Sequence, residues 1–114
     1  MDNKTLLQKF TKRVETCQER MDKFLLEFTK DPAYALSWSN NTFKDAAELR
    51  VNKQIMLALQ DGDADLDNIR STLMERVLHK SKYPPQSTSP TSNLIEQYEL
   101  AVCSDILSDL QYYE

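Results

Sequence analysis

A single glycine in 114 residues is a shortage with consequences. Hairpins and tight turns between strands draw on glycine repeatedly, whereas a helical protein needs it mainly where a helix ends. The shortage therefore excludes a sheet-rich fold and points to an all-α one. It also excludes a glycine-rich phosphate cradle. With one histidine, His79, most nucleophile–base arrangements and most zinc sites are out of reach. The two cysteines, Cys17 and Cys103, lie far apart, each amid helix-like apolar spacing, and read as reduced, buried thiols rather than a metal or redox pair. No apolar run is long enough to cross a bilayer. The first ten residues, MDNKTLLQKF, are too charged for a secretory signal, so a cytoplasmic protein is expected.

What is present is charge and helical periodicity. Residues 1–30 hold seven Lys/Arg against five Asp/Glu, and residues 61–114 hold ten acids against four bases. An acidic whole, with a pI near 5.0, argues against nucleic acid or an anionic membrane as the main partner. Length and composition suit one domain spanning residues 1–114.

In the first thirty residues Leu7, Phe10, Val14, Cys17, Met21, Phe24 and Phe28 recur at alternating steps of three and four, the seam of a long helix. Its mixed occupants, broadened by Leu25 and Leu26, favour a bundle helix over a two-chain coiled coil. Asp31-Pro32 restarts the chain as cap and first residue of a short helix through Trp38. The segment SNNTFKDAAELRVNKQIMLALQ, residues 39–60, forms the next helix, with Thr42 and Asp45 near capping-box spacing and Gly62 at its C-terminal cap. A further helix is predicted from Asp65 to Lys80, with Leu66, Ile69, Leu73 and Val77 on one side. YPPQSTSPTSN, residues 83–93, is a connection, and a last helix starts near Asn93. The expected fold is an all-α, four-helix bundle-like domain with one additional short helix.

Four aspartates at alternate positions, Asp61, Asp63, Asp65 and Asp67, resemble a calcium loop in composition only. An EF-hand loop needs glycine at its sixth position and glutamate at its twelfth. Counting from Asp61 or from Asp63 supplies neither, so the acids read as a polar turn followed by helix-start charge. Glu75 and His79 stand four apart but opposite the apolar stripe, which puts them in solvent. No Glu-x-x-His pair for a bundle di-iron site occurs. Nor does a helix-turn-helix fit residues 43–80, because its reading helix would be led into the groove by aspartates. No catalytic residue, cofactor site, metal site or small-molecule substrate is expected.

Two features stand out from this background. Arg50 and Gln54 fall inside the apolar arc of their helix, while Asp105 and Asp109 fall among Leu94, Tyr98, Val102 and Tyr112 on the last helix. Polar groups in such arcs need partners, so a buried pairing of Arg50 with one of these acids is predicted. The last helix also carries apolar residues on two sides: Ile95, Tyr98, Val102 and Ile106 on one, Leu100, Cys103, Leu107 and Leu110 on the other. Either it threads the bundle centre or its second side meets another chain, and the second choice makes Leu100, Cys103, Leu107 and Leu110 a partner-binding face, most simply of a homodimer. The expected function is a non-catalytic helical interaction module, an adaptor, regulator or small assembly component that self-associates through apolar helix faces. The alternative is a nucleic-acid-associated regulator using Lys9, Lys12, Arg13, Arg20 and Lys23 on the first helix, although Glu15, Glu19 and Asp22 interrupt that surface.

Overall fold

The computed structural model describes residues 2–37, 39–82 and 89–111. These form α1 (Asn3–Lys30), α2 (Pro32–Leu36), α3 (Ser39–Gln60), α4 (Leu66–Lys82) and α5 (Pro90–Leu110), with no strand among the described residues. The fold is all-α, four long helices and one short one, as the sequence predicts. Trp38, Tyr112 and most of the 83–93 connection lie outside the described residues.

Local chemistry sets most of the helix ends. Asp2 caps α1, its Oδ1 accepting the Thr5 N–H at 2.7 Å, and this hydrogen bond holds its carboxyl below the usual carboxylate value. Asp31 works in both directions: its N–H donates to the Glu27 carbonyl to close α1, and its Oδ1 accepts the Tyr34 N–H to open α2, with Pro32 at the first helical position. Between α3 and α4, Asp65 accepts the Asn68 N–H at 2.8 Å while Asn68 Oδ1 accepts the Asp65 N–H at 3.3 Å, a reciprocal cap. One of the four alternating aspartates is thus committed to starting a helix.

One predicted cap and one predicted start differ. α3 begins at Ser39, so Thr42 and Asp45 lie inside it, and Asp45 is turned to an ion pair with Arg20. α5 begins at Pro90 rather than near Asn93, because proline fits the first helical turn, where its missing N–H has no intrahelical partner to lose.

Gly62 ends α3. Its φ is +75°, its N–H donates to the Leu59 carbonyl and the following Asp63 N–H reaches back to Ala58, the paired bonds of a left-handed C-terminal cap. No heavy atom lies within 4 Å of where a Cβ would stand, so the requirement is for the backbone angle and not for space. Gly62→Ala is expected to cost about 1–2 kcal/mol in denaturant unfolding, and Gly62→Asn clearly less. Equal losses for the two would refute a φ-based role.

The core draws on four helices. Leu6 and Phe10 come from α1, Val51, Ile55 and Leu59 from α3, Ile69 and Leu73 from α4, and Val102, Cys103, Ile106 and Leu110 from α5. Each large side chain so buried contributes about 1.5–3 kcal/mol before chain entropy is counted. α1 packs on α3, and α5 packs on both α3 and α4. α3 and α5 are therefore the two inner helices, and α5, with a neighbour on each side, needs apolar residues on two sides. α1 behaves differently along its length: its buried residues are Leu6, Phe10 and Cys17, and none follows Cys17 before the helix ends at Lys30. Its second half thus lies toward the margin of the bundle, where α2 folds against α1 and Arg20 reaches Asp45 and Glu48 of α3.

Candidate functional site

The structure redistributes the residues singled out by the sequence. Of the predicted partner face on α5, Cys103 and Leu110 are essentially inaccessible and belong to the core, while Leu100 and Leu107 are half-buried, Leu107 packing against that core. This chain's own helices thus cover Cys103 and Leu110, which takes those two out of the expected docking face and leaves Leu100 and Leu107 partly exposed. Amphipathic pattern alone does not reveal which helix is central.

The predicted Arg50 pairing is corrected as well. Arg50 is exposed, and its Nη1 lies 3.2 Å from Glu99 Oε1 on α5, not from Asp105 or Asp109. Asp109 instead pairs with Arg13 of α1 at 2.5 Å, and Asp105 is exposed. Gln54 is exposed too and accepts from Arg76 Nη1 at 3.4 Å. The buried acid is Glu99, with a side chain 7% exposed. Its Oε2 accepts from Arg76 Nη2 of α4 at 2.8 Å, and its Oε1 is within ion-pair reach of Arg50 but out of line for a hydrogen bond. One carboxylate thus ties together α3, α4 and α5. A sequence signal for it exists: Glu99 stands three, four and seven residues before Val102, Cys103 and Ile106, between the two apolar stripes of α5. A second tie comes from Arg70 of α4, whose Nη2 donates to the Leu110 carbonyl at 2.6 Å, placing positive charge on the C-terminal end of α5.

A groove of about 500 Å³ runs between α1, α3 and α5, with Lys9, Lys12 and Arg13 on one wall and Glu48, Asp105 and Asp109 on the other. Much of its charge is internally matched, because Arg13 holds Asp109 and Arg20 approaches Asp45 and Glu48 at 3.5 and 3.3 Å. These pairs draw on the basic face of α1 that a nucleic-acid interface would need. Cys17 lies at this groove with its thiol donating to Glu48 Oε2 at 3.6 Å. Burial, reinforced by the Glu48 carboxylate, pushes the Cys17 thiol up to about 11, and burial also raises that of Cys103. Both are therefore protonated at neutral pH and poor nucleophiles, in keeping with buried structural thiols.

The feature unexplained by internal packing is the α1–α2 corner. Leu25, Leu26, Phe28, Tyr34 and Leu36 are each 40–56% exposed within one short stretch of chain. Beside them a groove of about 480 Å³ is lined by Phe24 and Glu27 of α1, Tyr34 and Ala35 of α2, and Thr42 and Asp45 of α3. Leu57 on α3 and Met74 and Leu78 on α4 are also exposed, but they are fewer and spread over two helices. The seam read from the sequence explains the difference: its first part enters the core, whereas Phe28 and the neighbouring Leu25 and Leu26 extend past it. No helix among the described residues is long and apolar enough to cross a membrane. Comparison with protein-family models, curated proteins and solved structures gives no match.

Proposed function

We propose that this protein is a non-catalytic helical interaction module that self-associates through an apolar helix face, and that the face is the α1–α2 corner. The observation that carries the reading is the exposure of Leu25, Leu26, Phe28, Tyr34 and Leu36 together. Scattered single apolar residues are ordinary on a protein surface, but a cluster of large ones marks a surface that another molecule covers. The remainder of the molecule supplies a rigid support, since the first half of α1 is anchored in the core and Asp31 fixes the angle at which α2 leaves it.

Light scattering on a size column tests this. Wild-type protein at tens of micromolar is expected to elute with a mass above that of one 13.3 kDa chain and to keep it in high salt, because apolar association is not screened. Leu25→Glu/Leu26→Glu is expected to return it to a monomer with unchanged helicity. A wild-type mass of one chain across the whole range would refute the reading. The alternative, nucleic-acid binding by α1, would show as a mobility shift that collapses steeply with salt.

A further inference from the structure

We infer that self-association uses the Leu26 side of this corner, as a two-fold, antiparallel pairing of the second halves of α1; this rests on the function proposed above and specifies its partner as a second copy of the chain. Leu26 lies half a turn around α1 from Cys17 and nearly so from Phe10, the residues that face the core, so it points directly away from the bundle. Asp22 and Lys30 stand four residues before and after it, on the same outward ridge. Both are exposed. Asp22 accepts only a hydrogen bond from Gln18 on its own helix, at 3.0 Å, and Lys30 makes no ion pair among the described residues.

The order acid, leucine, base along one ridge is self-complementary in one sense only. A two-fold axis through Leu26 brings the two Leu26 side chains together and sets Asp22 of each copy against Lys30 of the other, giving two opposite-charge pairs. A parallel arrangement in the same register would set Asp22 on Asp22 and Lys30 on Lys30. Like charges held in contact are disfavoured and select against it. The antiparallel arrangement is closed, because it uses the same patch on both copies and leaves none for a third. The leucines provide attraction, and the charges set direction.

A charge-swap series read by sedimentation equilibrium on the full chain tests this. Asp22→Lys and Lys30→Asp are expected each to weaken self-association about tenfold at low salt, since two exposed ion pairs become two repulsions. An equimolar mixture of the two variants is expected to form a heterodimer in preference to either homodimer, and the double variant Asp22→Lys/Lys30→Asp to regain wild-type association. Matching helicity and thermal melting would show that the folds are intact, as both positions are exposed. If wild type associates but the single variants do so equally and their mixture shows no preference, the antiparallel pairing is overturned while the interaction-module reading stands. If wild type is monomeric throughout, both are overturned.

Discussion

Replacing Arg76 by alanine is expected to destabilise the protein by about 3 kcal/mol in equilibrium denaturation. Removing one partner from a buried ion pair leaves the other charge in a poorly solvated place, and such losses typically run to 3–5 kcal/mol. The lower end applies because Arg50 stays within 3.2 Å of the same carboxylate. Glu99 has little access to water, with a side chain 7% exposed, so it bears the desolvation, whereas Arg76 is 29% exposed and Arg50 65%. The effects should therefore be unequal. Arg50→Ala is expected to cost less than about 1 kcal/mol, since a largely solvated partner contributes little. Glu99→Met should fall within about 1 kcal/mol of wild type in either direction, because an apolar side chain removes the buried charge and both arginines can turn to solvent. Equal, small losses for Arg50→Ala and Arg76→Ala would mean that Glu99 reaches water in solution, contrary to its position between α3, α4 and α5.

A comparable effect is expected from Leu110→Ala, about 2–5 kcal/mol, from lost transfer energy and the cavity left behind. Leu110 is 1% exposed at the end of α5 and belongs to the same apolar cluster as Leu6, Phe10 and Ile106. Leu107→Ala, at a half-buried position, should cost less. Against a total stability of order 5–15 kcal/mol for a domain of this size, the Leu110 loss would be plain in any thermal or denaturant melt. The measurement separates two roles for this side of α5. A core residue destabilises each chain independently of protein concentration, while a residue at a contact between chains has an effect that grows with concentration. Concentration-dependent unfolding specific to Leu110→Ala would return the docking face to α5 and away from the α1–α2 corner.

The candidate site divides the same way between what is local and what is not. Leu25, Leu26 and Phe28 were visible as a broadened end to the α1 seam, but nothing in their spacing distinguishes a stripe that enters a core from one that runs past it. That depends on where the partners of α1 stop. Arg50 shows the same limit: its angle on α3 placed it inside an apolar arc, and the fold leaves that edge of the arc open to solvent, with Glu99 supplying the charge. Glu99 differs from Asp105 and Asp109 in standing between the two stripes of α5, a position where an acid is buried only if the helix is inner.

The helices and most of their ends follow from interactions reaching no more than about four residues along the chain, and these the amino-acid order determines directly: Asp31 beside Pro32, the reciprocal Asp65 and Asn68, and a lone glycine at a left-handed turn. Which helices became central, which acid became buried and which leucines stayed wet were decided only when α3 settled between α1 and α5, and α5 between α3 and α4. The reason is physical. A side chain's burial is set by what packs opposite it, and for Glu99 that is Arg76, 23 residues away, a distance over which periodicity carries no information.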